Sequence, residues 1–258
     1  MKKIHYLFLL TFLIIFSCDK KSQEIKTDLE KMNLNGNVKS FKTNEFSQLT
    51  ESHYYFNRSG FISQLNWVSK NSLWHKEKYY YSDNLDSIVR FDKNDDLQSK
   101  SVFHYSNGNL IKTQFFNSNN GLERNWKYEY NDQGKISKEV LYYEPNIVIS
   151  TLIYEYDQSN RLKSKTEIDS HKTTFFYNDK NQKISETQFY FDDNSERKFS
   201  FGYDENGFLN RQTDIENNVS YNWNYELDKN GNWIYKRKAG VSLQNTDIEA
   251  ERKIEYYE

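Results

Sequence analysis

One nine-residue phrase, Tyr128-Glu129-Tyr130-Asn131-Asp132-Gln133-Gly134-Lys135-Ile136, limits what this chain can fold into, because the chain restates it about eight times. It reads aromatic, any, aromatic, Asn or Asp, two polar residues, Gly or Asn, any, aliphatic. Copies return roughly every 21 to 26 residues, a period that marks a repeat architecture. The first copies are Tyr54-Tyr55-Phe56-Asn57 with Gly60 and Ile62, and Tyr79-Tyr80-Tyr81-Ser82 with Ile88. The third, Phe103-His104-Tyr105-Ser106 with Gly108 and Leu110, is one residue short. After the copy at Tyr128 come Tyr154-Glu155-Tyr156-Asp157 with Asn160 and Leu162, and Phe175-Phe176-Tyr177-Asn178 with Asn181 and Ile184. Phe201-Gly202-Tyr203-Asp204 with Gly207 and Leu209, and Tyr225-Glu226-Leu227-Asp228 with Gly231 and Trp233, close the series.

Two aromatics spaced two apart project from one face of a strand. The alternation extends backwards in places: Trp126, Tyr128 and Tyr130 alternate with Asn125, Lys127 and Glu129. The Asn or Asp that follows can bond its own downstream backbone, and the Gly or Asn three residues on accepts a left-handed conformation. That is the chemistry of a type I turn closed by a bulge, a common tight hairpin. A second turn separates each return strand from the next copy, at 69–72, 92–96, 117–121, 144–146, 169–172, 192–195 and 216–218.

Each repeat is therefore a β-hairpin. The expected fold is all-β, an antiparallel meander of about eight hairpins and sixteen to eighteen strands. Open twisted sheets rarely exceed about ten strands, so the sheet should curl into a spiral or a barrel-like shell. Aromatics, 17% of the chain with 21 Tyr and 18 Phe, supply the inner face, since a tyrosine ring packs while its hydroxyl stays wet. Return-strand residues such as Trp67, Val140, Ile168 and Phe189 are expected to bridge the signature rings. Asn33 to Phe46 should hold the first strand; Asp247 to Arg252 is read as one helical turn before a last strand at 253–257.

The N-terminus carries a different signal. Met1-Lys2-Lys3 is a short positive segment, and Ile4 to Phe16 is an apolar run of about thirteen residues, too short for a comfortable span and suited to a signal peptide. It ends in Ile15-Phe16-Ser17-Cys18, which resembles the bacterial lipoprotein signal, although Phe16 is less typical there than a small residue. The resemblance implies a signal peptide over 1–17, cleavage before Cys18 and acylation of that cysteine, so that the lipid bilayer is a partner at the bacterial cell envelope. Cys18 is the only cysteine, so no disulfide forms within the chain; the plainer alternative is a core cysteine in an uncleaved segment. Residues 18–32 read as a polar tether, with a short helical turn near Asp28 to Met32, and 33–258 as the repeat domain.

The phrase resembles the RHS or YD repeat, a Tyr-x-Tyr-Asp followed by Gly-Asn-Leu. Tyr203-Asp204-Glu205-Asn206-Gly207-Phe208-Leu209 and Asp228-Lys229-Asn230-Gly231-Asn232-Trp233 are its best fits, and the resemblance covers most of residues 50–240. It implies hairpins that, in large members, spiral into shells that hold and present cargo. This chain is far shorter, with no toxin domain or self-cleaving region in evidence, so the scaffold carries over and the cargo role does not. Lipoprotein signal and degenerate repeats together resemble small lipoproteins of Bacteroidetes-type bacteria.

Catalytic constellations are not evident. His53, His75, His104 and His171 lie in different repeats without paired spacing, so neither a metal nor any other cofactor is expected. No P-loop, Rossmann fingerprint or Gly-x-Ser-x-Gly elbow occurs. Turn carboxylates such as Asp157, Asp204 and Asp228 are explained by the turn itself better than by calcium. A formal charge of −2 gives no field for phosphates, which argues against nucleic acid; Lys236-Arg237-Lys238 is a solvated cluster. The leading expectation is a non-enzymatic scaffold for an envelope protein. A carbohydrate-binding module using exposed Trp74 and Tyr55, which fall out of phase with the ring face, is the alternative, and a hydrolase in the roll is third. The loop 239–247 and the shortened copy at Gly108 are where copies deviate, and so where binding is sought.

Overall fold

The alternation of ring and polar residue is realised as strand nearly throughout. The computed structural model describes residues 26–44, 50–69, 72–143, 146–239 and 248–258. Its strands are Val38–Thr43 (β1), Thr50–Phe56 (β2), Ile62–Ser69 (β3), Ser72–Tyr81 (β4), Leu85–Asp92 (β5) and Leu97–Ser106 (β6). Asn109–Asn117 (β7), Leu122–Tyr130 (β8), Ile136–Tyr143 (β9), Ile147–Tyr156 (β10), Leu162–Glu167 (β11) and His171–Tyr177 (β12) follow. Lys183–Tyr190 (β13), Glu196–Tyr203 (β14), Leu209–Asp214 (β15), Val219–Leu227 (β16), Trp233–Lys238 (β17) and Ile248–Tyr256 (β18) complete them. Each pairs antiparallel with the next, and β18 returns to pair with β1, with Phe41 opposite Ile254 and Lys42 opposite Lys253. The sheet is a closed barrel, which removes both edges; the spiral alternative is not adopted.

The signature turns form as the residues dictate. At the clean copy, Asn131 Oδ1 accepts the Gln133 and Lys135 N–H groups at 3.1 and 2.9 Å, and the Gly134 N–H donates to the Asn131 carbonyl at 2.9 Å. Gly134 sits at φ 73°, Gly207 at 85°, and Asn160 at 60° in the same role. Asn57, Asp157, Asn178, Asp204 and Asp228 repeat these bonds. All these turns lie at one end of the barrel, hereafter the signature rim.

Each such hairpin carries a bulge: Tyr130 faces Ile136, but Glu129 faces Lys138, so two residues of β9 oppose one of β8. The extra residue inverts the parity of the return strand. By plain alternation Val140 would share the face of Ile136; instead Glu139, opposite Tyr128, does, and Val140 pairs with Lys127 on the outer face. Phe189 likewise pairs with Lys172, away from the rings, and Ile168 lies beyond β11, half exposed. Of the four expected bridges only Trp67, opposite Ser52 and His75, is on the ring face. In the second copy the return strand begins at Leu85, with Ile88 in its middle.

Trp126, Tyr128 and Tyr130 are half-buried while Lys127 and Glu129 between them are exposed, so the rings line the inner wall. A barrel of sixteen to eighteen strands is too wide for side chains to fill, and most inner rings keep part of their surface open. Full burial concentrates at the seam where the chain closes. Leu34, Val38, Phe41, Phe56 and Ile62 pack there with Leu29, Met32, Tyr54, Tyr79, Ile254 and Tyr256.

The polar stretch before residue 33 contributes to this seam. Asp28–Lys31 (α1) is a single helical turn with a capping box, in which Thr27 accepts from the Glu30 N–H and Glu30 accepts from the Thr27 N–H. Leu29 donates its N–H to the Gly60 carbonyl at 3.1 Å. Residues Thr27 to Met32, inside the segment read as tether, thus pack on the barrel. At the other terminus, 248–256 is strand, without the helical turn expected at 247–252, because Ala250 and Glu251 pair with β17. His171 also begins a strand, so the turn expected at 169–172 is shorter. Phe46 and the turn residues 70–71 and 144–145 lie outside the described residues.

Candidate functional site

The signature tyrosines do more than pack. The second ring of one repeat reaches the first or second residue of the preceding return strand and donates its hydroxyl to that backbone carbonyl. Tyr105 bonds Leu85 at 3.2 Å, Tyr130 bonds Leu110 at 2.9 Å, and Tyr156 bonds Ile136 at 2.8 Å. Tyr177 to Leu162 and Tyr203 to Lys183, both at 2.9 Å, continue the series. In the last copy Leu227 stands in the second place, and Tyr225 bonds Leu209 at 2.6 Å instead. These contacts staple each hairpin to the next around the signature rim. Burial pushes the Tyr105, Tyr130, Tyr156, Tyr177 and Tyr203 hydroxyls above the usual phenol range, which keeps them protonated and able to donate.

At the seam a different device closes the ring. Asn232, 1% exposed, accepts the Asn35 N–H at 2.7 Å and donates to the Asn35 carbonyl at 2.9 Å and to the Tyr256 oxygen at 2.8 Å. Tyr256 in turn donates to Asp228, and Tyr257 donates to the Phe56 carbonyl at 2.6 Å. Asn232 occupies a position where the repeat tolerates any residue, so its role was not readable from the phrase.

The deviating copies open the rim. The second copy has a tight connection, with the Ser82 N–H donating to the Asn84 carbonyl at 3.1 Å. The short third copy turns on Asn107 and Gly108, at φ 50° and 78°, a two-residue turn of the Asn-Gly kind. Neither folds a five-residue loop over the rim. Helix α1 roofs the adjoining side: the Asp28 carboxylate accepts from the Ile62 N–H at 2.9 Å and from the Tyr81 hydroxyl at 3.3 Å, replacing the carbonyl that other signature tyrosines find. Burial first, then the Asp28 charge, hold the Tyr81 hydroxyl protonated. Between roof and notch lies a cavity of about 560 Å³, walled by Phe61, Tyr81, Leu85, Phe103, Tyr105 and Leu110 and rimmed by Asp83, Asn84 and Asn109.

Further from that rim the inner face turns polar. Arg90 pairs with Glu77 and Arg197 with Asp214, each at 2.6 Å. Asp214 is held at about 2 by the Asn217 amide and then by the Arg197 guanidinium. Among the described residues no three His, Cys, Asp or Glu side chains gather as metal ligands.

Of the residues singled out from sequence, Trp74 and Tyr55 are exposed as their phase implied, 59% and 37%, but they do not form one site. Tyr55 lies next to the signature rim on β2, and Trp74 at the opposite rim, stacked obliquely on His75 at 4.7 Å. Trp74 borders a cavity of about 450 Å³ and Tyr55 one of about 250 Å³, while Asn57 and Gly108 border the cavity beneath α1. Cys18 and residues 240–247 lie outside the described residues. No helix among the described residues is long and apolar enough to cross a membrane. Sequence reasoning missed Asp28, Asn84 and Asn109; only the shortened third copy pointed to their neighbourhood.

No protein-family model matches the chain, and no curated protein matches it. Among solved structures it is similar to a porin-like protein of Bacteroides uniformis at 10% identity and a TM-score of 0.46, over 86% of this chain and 99% of that one. A Photorhabdus luminescens Tc holotoxin pore is similar over 83% of this chain at 10% identity and a TM-score of 0.35. A TcdB2–TccC3 structure without its hypervariable C-terminal region is similar over 79% at 13% identity and a TM-score of 0.35. This chain spans 15% and 13% of those two toxin chains. Likenesses at this level assign no family or activity.

Proposed function

We infer that the chain is a non-enzymatic barrel scaffold of the bacterial cell envelope, held to a bilayer through acylated Cys18 and presenting its free rim to a protein partner. The observation that carries this reading is how the repeat residues are used. Turn carboxylates and amides bond their own backbone, and signature hydroxyls bond the preceding strand, so the recurring chemistry is consumed in building the wall. The wall's outer face carries Lys78, Lys112 and Lys127 within its strands, and Glu129 and Glu155 next to the signature rim. Arg or Lys at a bilayer midplane is penalised by about 2–4 kcal/mol each, so the barrel stands in water and needs an anchor. Thr27 lies nine positions after Cys18, a reach of up to about 30 Å when extended.

The rim opposite α1 supports the protein-binding part. Ile147, Val148, Ile149, Ile168, Phe191 and Ile215 stand exposed there at successive hairpin ends. Carboxylates at Asp169, Asp192, Asp193 and Glu216 flank them, an acidic setting that an anionic lipid surface repels and a basic protein surface suits. The test is cross-linking in intact cells followed by purification of the full chain, beside a Phe191→Asp and Ile215→Asp double variant. One envelope protein retained by the natural chain and lost from the variant supports the reading. Retention of none, or equal retention by both, counts against it. For the anchor, Cys18→Ala should move the protein from the detergent phase to the soluble fraction and abolish lipid labelling.

A further inference from the structure

The cavity beneath α1 is not used by the scaffold reading, and its chemistry is specific enough to name a ligand. We propose that it binds a neutral carbohydrate, one or two sugar units stacked on the ring wall. A volume of about 560 Å³ is within the roughly 300–1,000 Å³ of small-molecule sites. The wall is made of ring faces: Phe61 and Tyr81 lie 5.4 Å apart and tilted by 45°, with Phe103 and Tyr105 beside them. None of these four rings is fully buried, so each offers part of its surface to a ligand. Flat apolar faces of that kind match the C–H face of a pyranose.

The mouth supplies the complementary polar groups. The side chains of Asp83, Asn84 and Asn109 border the cavity and hydrogen-bond no partner among the described residues, unlike Asn57, whose oxygen is taken by the Ser59 and Phe61 N–H groups. An amide offers one acceptor and two donors, the combination that neighbouring hydroxyls of a sugar require. The charge balance selects against other ligands. Lys31 is engaged by Asp28 at 3.0 Å, and Asp83 adds a free negative charge, so phosphate and carboxylate ligands are repelled. A purely apolar ligand would leave two amides and a carboxylate uncovered at the mouth. What remains is a neutral, hydroxyl-rich molecule with one apolar face.

The site exists because two copies of the repeat are irregular. A five-residue turn at Ser82 or Ser106, like that at Asn131, would lay a loop across the opening, whereas the short turns leave it clear. Helix α1 fixes the opposite wall through Asp28, and Gly108, with no heavy atom within 4 Å of where a Cβ would stand, leaves the lip open.

The experiment is titration of the full chain in detergent with cellobiose, maltose, lactose and diacetylchitobiose, by calorimetry and by ligand-observed NMR, with indole and inorganic phosphate as competing classes. At least one sugar should bind, with its C–H protons shifted by the ring currents of the aromatic wall. The Asn84→Ala and Asn109→Ala double variant, which removes no side-chain hydrogen bond among the described residues, should keep its unfolding transition and bind tenfold or more weakly. Binding of no sugar, unchanged affinity in the double variant, or tighter binding of indole or phosphate overturns the proposal. Because this site is at the signature rim, its failure leaves the partner experiment at the opposite rim unaffected.

Discussion

The two rims of the barrel are made by the same hairpins yet are held in different ways. At the signature rim, side chains reach from one repeat into the one before: six tyrosines bond carbonyls of the preceding return strand, and Asp28 and Asn232 complete the circle at the seam. At the opposite rim the corresponding bonds stay within one hairpin, through backbone groups from Ile168 to Thr151, Phe191 to Ser170 and Ile215 to Lys198, and through side chains from Arg197 to Asp214. Two turns there, at Asp92 and Asn117, copy the signature geometry, but the connections after β11, β13 and β15 do not, and their large apolar side chains are exposed. One end of the molecule is specified by repetition and the other is free to differ. Variation, and with it recognition, is thus accommodated at the far rim and at irregular copies of the near one.

Substitutions that treat the two ends alike separate them by size of effect. Asn232→Ala should be the most damaging, since it removes from a buried side chain three hydrogen bonds, to the N–H and carbonyl of Asn35 and to the Tyr256 oxygen. Each hydrogen bond contributes about 0.5–1.5 kcal/mol, so a loss of about 3 kcal/mol is expected in chemical denaturation. Ile168→Ala at the far rim should stay within about 0.5 kcal/mol. Gly134→Ala, at φ 73° with nothing within 4 Å to clash, isolates the backbone effect and should destabilise by about 1–2 kcal/mol. Tyr130→Phe removes one staple and should lose about 1 kcal/mol, while Tyr143→Phe, on an exposed ring at the far rim, should be silent. Equal responses at both rims in these pairs would refute the contrast.

The smallest effect below neutral pH becomes large in alkali. Burial raises the signature phenols in the folded state, whereas unfolded tyrosine titrates near 10. A raised folded pKa means the native state keeps its protons longer, so the stabilisation is complete below about pH 10 and is lost as pH climbs above it. Unfolding monitored by tyrosinate absorbance should therefore begin above pH 10 and be cooperative, not a gradual titration of independent phenols. Asp214 works in the opposite sense: its lowered pKa supports the fold above about pH 4 and ceases to as pH falls toward 2.

What could be read in the sequence was what is local. The Asn or Asp and the Gly of each turn, the spacing of the rings and the number of strands follow from contacts within about ten residues, and all are realised. The misreadings arise where parity or distance intervenes. A single bulged residue after each turn moved Val140 and Phe189 to the outer face, something a period of two cannot reveal. Asp28 looked like part of a polar tether because its partners, Ile62 and Tyr81, lie 34 and 53 residues away. Asn232 and Asn35 are 197 residues apart, so no local pattern shows that they meet. The cleft is legible only in outline, through the missing residue of the third copy, since its polar lip depends on how short turns leave Asn84 and Asn109 unoccupied.

Closure of the sheet underlies both rims and is open to direct test. Lys42 and Lys253 face each other across β1 and β18, and Lys42 and His53 across β1 and β2. Facing Cα atoms in antiparallel pairs lie about 4.5–5.5 Å apart, within the roughly 4.4–6.8 Å that a disulfide spans. In a Cys18→Ala background, Lys42→Cys with Lys253→Cys should oxidise within the monomer as readily as Lys42→Cys with His53→Cys, as read by mass spectrometry. A bridge that forms with His53→Cys while the Lys253→Cys pair stays reduced would mean that the ends do not meet and that the sheet is an open spiral.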